Sequence, residues 1–384
     1  MPIPSKTQDK QHQSPHNPVS DMPPAASMGI SEKMNRTPLF TIVLSGYQTE
    51  PYLQKALDSI ANQTFRDFEA ICYVEECTDR SLDICRAMAE RDPRFRVATG
   101  PKSGAVATTR NYGIDHATGI YLAAIDGDDW LVPDMLEQLA NKLKKTGQVD
   151  VLTFAAVSTD RDDADLNHAK PFSNFRPSDE EEVFSGQDAI RRSGQNGGSI
   201  HNFTWLSIYR VAFLREHRLY QSDGLLMEDY EWNPRVWFFA QRVAYLNRSL
   251  YVYRRRPGSL TTEASPRIVR DLARQFRSLA AFAESHTVPG DILSIWSNQW
   301  VSILFWFMFH PVTSRKIADG DRKEALDRIF SGEGKRQFLR ILSHASRPKR
   351  LARPLILLAA KGFQLPAKLY FRRFYYPLIE RRKK

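Results

Sequence analysis

Short apolar runs alternate with amphipathic segments from Leu39 to Ile125, and no other feature of the chain restricts its fold as much. Phe40-Thr41-Ile42-Val43-Leu44 reads as a strand and Ser45-Gly46 as a turn. Thr49-Glu50-Pro51 reads as a helix start, because proline is tolerated in the first helical turn. Leu53, Ala56, Leu57 and Ile60 then fall on one helical face. A second strand is expected from Phe68 to Val74, a helix carrying Leu82, Cys85, Met88 and Ala89, and a third strand at Phe95-Arg96-Val97. A helix from Ala105 to His116 and a strand from Ile120 to Ile125 complete the run. Strands joined through helices run parallel, so the pattern predicts an α/β fold, a Rossmann-like and mostly parallel sheet flanked by helices. Such sheets bind ligands at the carboxyl ends of their strands, which is where Asp126 falls.

Farther along, a helix is expected from Pro133 to Lys145 and a strand from Val149 to Phe154. The polar, acidic stretch Ser158 to Ser185 reads as an inserted loop, and Gly194 to Gly198 as a glycine-rich turn. Thr204 to Tyr209 is strand-like, Val211 to His217 and Asp229 to Ala240 are helical, and Val243 to Leu246 and Leu250 to Tyr253 are short strands. Beyond Pro257 the pattern is helical. A chain of 384 residues exceeds the about 250–300 that one core organises, so four segments are expected. These are a flexible leader at 1–36, an α/β domain at 37–258, a helical accessory region at 259–346 and a basic amphipathic tail at 347–384.

The net charge of +10 is unevenly placed. Residues 347–384 carry 12 Lys and Arg against the single acid Glu380, a balance of +11 that leaves −1 for everything before them. A nearly neutral body with a basic, aromatic tail argues against nucleic acid and for an anionic membrane face. Cys72, Cys77 and Cys85 are odd in number and lack a zinc-ligand spacing, as suits reduced thiols in the cytoplasm. The N-terminus has no signal-peptide core, and the longest apolar run, Trp300 to Phe309, is about half the roughly 20 residues that cross a bilayer. No transmembrane span is expected.

Three clusters could carry chemistry. Asp126-Gly127-Asp128-Asp129-Trp130 follows a buried strand, and carboxylates one residue apart there can chelate a hard divalent ion, Mg²⁺ or Mn²⁺, while the glycine allows close approach of a ligand. The same acids also suit a helix N-cap. Glu228-Asp229 opens an aromatic helix and fits either a general base or a favourable charge at the helix dipole. Arg254-Arg255-Arg256, after Tyr251-Val252-Tyr253, could fork onto diphosphate oxygens or lie solvated on the surface.

From Leu39 to about Ser259 the chain resembles family 2 glycosyltransferases of the GT-A fold, of the bacterial surface-polysaccharide type. The matching stretches are Ile42-Val43-Leu44 with Tyr47 and Glu50-Pro51-Tyr52-Leu53, Leu57-Asp58-Ser59-Ile60, Gln63-Thr64-Phe65, Asp67-Phe68-Glu69 and Thr78-Asp79. Arg110-Asn111-Tyr112-Gly113, His116-Ala117-Thr118-Gly119 and Asp126-Gly127-Asp128-Asp129-Trp130 continue the series. Two stretches depart from it. Ser45-Gly46-Tyr47-Gln48 stands for the usual Pro-x-Tyr-Asn, and Val74-Glu75-Glu76-Cys77-Thr78-Asp79 stands for Asp-Asp-Gly-Ser-Thr-Asp, so Glu75 replaces an aspartate at the nucleotide.

The resemblance implies an inverting transferase that moves a sugar from a nucleotide-diphosphate donor, with a uridine diphosphate sugar favoured, to a hydroxyl of a glycan or lipid-linked acceptor. It implies Asp126 and Asp128 as ligands of Mn²⁺ or Mg²⁺, and Asp229, paired with Glu228, as the catalytic base. Donor contacts would come from Tyr47, Glu50, Glu75, Arg110, Asp126, Gly127, Arg254 and Arg256. The enzyme is expected in the cytoplasm, with its tail able to rest on the inner membrane face. The alternative is a catalytically silent, membrane-recruited scaffold on the same fold.

Overall fold

The computed structural model describes residues 37–163, 169–173, 177, 181–195, 203–256, 265–309 and 316–330, with isolated positions at 336 and 343. The expected leader and tail, and most of the Gly194 to Gly198 turn, lie outside the described residues.

Strand β1 (Phe40–Gly46) pairs in parallel with β2 (Phe68–Glu75) on one side and β4 (Tyr121–Asp126) on the other, and β2 pairs in parallel with β3 (Phe95–Gly100). The connections are helices α1 (Glu50–Ala61), α2 (Ser81–Arg91) and α3 (Ala107–His116). The period-2 pattern of β1 decides what covers each face. Phe40, Ile42 and Leu44 join Leu53, Leu57 and Ile60 of α1 in one apolar cluster, whereas Val43 points to the opposite layer with Ile114 of α3. Gly113 is required there, since a Cβ on it would sit 2.9 Å from the Val43 side chain.

The second half of the sheet is mixed. β8 (Ser207–Arg210) runs antiparallel between β4 and β6 (Val151–Thr159), and β6 pairs in parallel with β9 (Val243–Arg254). A two-residue strand β5 (Trp130–Leu131) closes the edge against β9, and β7 (Phe172–Ser173) pairs with β6, giving the order β3-β2-β1-β4-β8-β6-β9-β5. The fold class read from the sequence is therefore the one present. Helix α4 (Met135–Thr146) lies between β5 and β6 and shares the cluster that holds α1. Helices α5 (Gly186–Gln195), α6 (Val211–Glu216) and α7 (Asp229–Phe239) contribute to the α3 side.

Several local expectations need correction. The two short strands expected between Val243 and Tyr253 are one strand of 12 residues, because register shifts between Phe154 and Ala156 absorb the polar break at Asn247-Arg248. β6 runs to Thr159 rather than stopping at Phe154, so the first residues of the expected insertion belong to the sheet. Thr204–Leu206 forms a 3₁₀ turn ahead of β8 rather than extending that strand. Past Pro257 the described elements are helices α8 (Pro266–Ser285), α9 (Gly290–Phe309) and α10 (Asp319–Phe330), which share the apolar cluster of α3 and α7. Helix α9 is 20 residues long and meets the length and composition of a membrane span, although most of its apolar stretch is buried within the protein. The apolar run looked shorter in sequence because Asp291, Ser297, Asn298 and Gln299 interrupt it without interrupting the helix.

Parallel pairing delivers the carboxyl ends of β1, β2, β4, β6 and β9 to one edge of the sheet. Ser45 pairs with Asp126, and Thr159 pairs with Arg254, so the acidic and basic clusters end on the same side.

Candidate active site

Asp126 is the last residue of β4, and its Oδ1 accepts a hydrogen bond from Ser45 Oγ at 3.1 Å across the β1–β4 junction. Gly127 then turns the chain against β1: its N–H donates to Ser45 O at 2.9 Å, and a Cβ would lie 2.6 Å from that oxygen. The close approach that the glycine permits is thus to the protein's own backbone. Asp129 is buried and occupied, accepting from Tyr251 Oη at 2.6 Å and from the Arg254 N–H at 2.8 Å. Since Tyr251 Oη also accepts from the Asp126 N–H at 3.2 Å, Asp129 braces the loop that presents Asp126 and Asp128.

β9 brings the arginines. Arg256 Nε donates to Asp128 Oδ2 at 2.6 Å, and Arg254 Nε to the Asp128 carbonyl at 2.7 Å. The Arg254 guanidinium lies 4.8 Å from the ring centres of both Tyr52 and Trp130, Lys55 sits over Trp130, and both cations pair with Asp162 just past β6.

The acids ahead of α7 reach the same place through Arg110 of α3. Its Nη1 donates to Glu228 Oε1 at 2.6 Å and Asp229 Oδ1 at 2.8 Å, while Nη2 lies 3.4 Å from Asp126 Oδ1. Arg110 is 5% exposed, Glu228 7%, Asp229 16% and Asp126 28%, so Asp229 and Asp126 present the accessible carboxylates. Burial pushes the Asp126, Asp129 and Glu228 carboxyls up, and neighbouring acids add to the rise, with Arg110 pulling Asp126 and Glu228 partly back. Burial also works to lower the Arg110 pKa, but Asp229, Asp126 and Glu228 outweigh it and hold the guanidinium charged.

Asp126, Asp128, Asp129, Asp162, Glu228 and Asp229 outnumber Lys55, Arg110, Arg254 and Arg256 by two charges. Asp126 Oδ2 and Asp128 Oδ1 accept no hydrogen bond among the described residues. Two hard oxygen donors among acids that outnumber the nearby bases fit a divalent cation whose shell is completed by phosphate and water. Among the described residues no three His, Cys, Asp or Glu side chains gather into a ready-made cage.

Tyr47, Glu50 and Glu75 make no hydrogen bond or ion pair with this cluster among the described residues. Tyr47 is exposed, with Lys102 Nζ 4.8 Å from its ring centre. Glu50 accepts from the Arg80 N–H at 2.9 Å, and its own N–H donates to Asp79 at 2.9 Å, which locks the start of α1 to the start of α2. Glu75 is buried and accepts from the Ser103 N–H at 3.2 Å and from Ser103 Oγ. The sequence reading did not single out Tyr251, Lys55, Asp162 or Thr204 for the site. Tyr251 sits at an ordinary core position of a strand and Lys55 on a helix surface, so neither position advertised its partner.

A mixed sheet with paired acids at the β1–β4 junction and a second acidic pair across it is the architecture of a GT-A glycosyltransferase. The crystal structure of S. aureus TarS 1–349 in complex with UDP-GlcNAc has the same fold, with a TM-score of 0.66 at 20% identity over 87% of this chain and 91% of that one. Residues 41–217 match the model of Glycosyl transferase family 2, so this part of the chain carries a domain of that family. It is 29% identical over 258 residues to the uncharacterized glycosyltransferase EpsJ of Bacillus subtilis, covering 66% of this chain and 72% of that protein. It is 28% identical over 242 residues to the glycosyltransferase GlyG of Streptococcus pneumoniae, covering 62% and 78%.

Removing Arg110 leaves the buried Glu228 and the partly buried Asp126 and Asp229 without their shared cation. Arg110→Met should destabilise the protein by about 3–5 kcal/mol, as for other broken buried ion pairs. Adding Glu228→Gln should recover part of the loss. Thermal unfolding followed by circular dichroism checks both, and an unchanged melting temperature in Arg110→Met would remove Arg110 as the brace.

Proposed function

We propose that this enzyme transfers a sugar from a nucleotide-diphosphate donor to an acceptor hydroxyl by one in-line displacement that inverts the anomeric centre. The observation that carries the reading is Asp229, an accessible carboxylate whose Oδ1 is held by Arg110 in the cluster that contains Asp126 and Asp128. The acceptor oxygen attacks the anomeric carbon as its proton passes to Asp229. The bond from that carbon to the diphosphate breaks, and its electron pair leaves with the nucleotide. Glu228, more buried and with its pKa raised, backs Asp229 and Arg110 rather than meeting the acceptor.

Asp126 and Asp128 would hold Mn²⁺ or Mg²⁺, which in such a site offsets charge developing on the departing diphosphate. Arg254 and Arg256 lie beside them to fork onto phosphate oxygens. A uridine diphosphate sugar is the favoured donor, in keeping with the UDP-GlcNAc and UDP complexes of TarS. Tyr47, Glu50 and Glu75 line the strand ends where the base and ribose would lie. The product would be a bacterial surface polysaccharide or glycolipid, made in the cytoplasm on a glycan or lipid-linked acceptor.

A panel of nucleotide sugars with Mn²⁺ and Mg²⁺ identifies the donor, and NMR of the product reads the new anomeric configuration; retention there rules out the single displacement. Asp229→Asn should bind the donor as before but turn over about a hundredfold more slowly or worse, as loss of a general base requires. Wild-type turnover would take Asp229 out of that role.

Arg256 and a cation compete for Asp128, so the two substitutions should act in opposite directions. Asp128→Ala should weaken UDP binding in the presence of Mn²⁺. Arg256→Gln should tighten Mn²⁺ binding to the free enzyme by up to about fivefold, the ~1 kcal/mol of a partly exposed ion pair. Calorimetry measures both, and unchanged affinity in Asp128→Ala would reduce the acidic loop to a structural brace.

The tail at 347–384 would hold the enzyme on an anionic inner leaflet, each basic side chain adding about 1 kcal/mol near the surface. Sedimentation with phosphatidylserine vesicles should retain the full chain at low salt and release it at high salt. A full chain that ignores such vesicles at low salt counts against membrane attachment.

A further inference from the structure

Arg110 is not alone in holding Asp229. Thr204, in the 3₁₀ turn ahead of β8, donates its hydroxyl to Asp229 Oδ1, and its backbone N–H lies 3.3 Å from Oδ2. The same hydroxyl accepts from Gln221 Nε2 at 3.0 Å. A threonine hydroxyl carries one proton, so taking a hydrogen bond from Gln221 leaves that proton directed at Asp229. Tyr209 Oη donates to the Thr204 carbonyl at 3.0 Å and fixes the backbone from the other side.

Gln221 is itself tethered. It is 3% exposed, its N–H donates to Asn111 Oδ1 at 2.8 Å, and its carbonyl accepts from Asn111 Nδ2 at 2.9 Å. Its Oε1 is buried without a partner among the described residues. Asn111 follows Arg110 on α3. One helix therefore grips the same carboxylate twice, through Arg110 directly and through Asn111, Gln221 and Thr204 in series.

We propose that Thr204, oriented by Gln221, is a positioning residue that saturates Oδ1 of Asp229 and leaves Oδ2 as the oxygen that takes the acceptor's proton. Oδ1 accepts from a guanidinium and a hydroxyl, two donors that stabilise its negative charge and make it the weaker base. Oδ2 faces only the longer N–H contact. The inference rests on the reading of Asp229 as the base.

Turnover and donor affinity are measured for Thr204→Val, Thr204→Ser and Gln221→Met, with melting temperatures to verify folding. Thr204→Val should lower kcat by roughly tenfold to a hundredfold with donor Kd unchanged, the size of effect that misplacing a reacting group produces. Thr204→Ser, which keeps the hydroxyl, should stay close to wild type, and Gln221→Met should lose kcat in the same direction but less. In an Asp229→Asn background Thr204→Val should cost nothing further, since both act at one carboxylate. Wild-type kcat in Thr204→Val, or equal impairment of Thr204→Ser in a folded protein, overturns the proposal. If Thr204→Val does not fold, wild-type kcat in Gln221→Met overturns it instead. Full turnover in Asp229→Asn is a separate outcome, which removes the base itself.

Discussion

One buried guanidinium sets the geometry of this protein's working edge. Arg110 touches the end of β4 through Asp126 and the start of α7 through Glu228 and Asp229, two elements separated by more than a hundred residues of chain. Removing an ion from water costs several kcal/mol, and only close, multiple partners offset it. Arg110 has three such partners, and each acid in turn would be unfavourable without the cation. The arrangement fixes the spacing between the acids proposed for metal and diphosphate and the acid proposed for the acceptor proton.

A second set of contacts acts on the acidic loop itself. β9 ends level with β6, with Arg254 paired to Thr159, and delivers Arg254 and Arg256 beside Asp128, while the Arg254 N–H and Tyr251 Oη brace Asp129. The acidic loop is thus anchored by the strand that also supplies its counter-charges. Even so, acidic side chains outnumber basic ones in the cluster, and burial drives the Asp126, Asp129 and Glu228 carboxyls toward their protonated forms. A site left in that electrostatic state is suited to a cation arriving together with an anionic substrate, because each reduces the cost of burying the other.

The first half of the fold was legible because its signals are local. β1, α1, β2, α2, α3 and β4 begin and end within about two residues of where apolar periodicity and turn chemistry place them. The acids at 126, 128, 228 and 229 were legible from charge placed after a strand and before a helix. What could not be read depends on tertiary partners. The bulge that merges two expected strands into β9 exists because β6 is there to pair with it. Thr204 sits in a stretch whose β-branched and aromatic residues suit a strand, yet it forms a 3₁₀ turn aimed at Asp229. Glu75 and Glu50 were read through the resemblance as donor contacts, while their bonds to Ser103 and Arg80 depend on loop geometry that composition does not encode.

The helices that follow the sheet also reach the site. Met227, immediately before the acidic pair, holds φ at 64°, a left-handed conformation that costs a residue with a side chain roughly 1–2 kcal/mol. That strain persists only where the surroundings fix it. Here the fixing comes from α8: Asp271 accepts the Leu226 N–H at 3.2 Å, and Gln275 donates to the Leu226 carbonyl. Both backbone polar groups of Leu226 are therefore claimed by a helix outside the sheet, and Ser278 of the same helix bonds Glu231 at 2.9 Å in the first turn of α7. Helix α8 clamps the chain on either side of Glu228 and Asp229, so the direction in which those carboxylates point is set jointly by contacts from α3 and from α8.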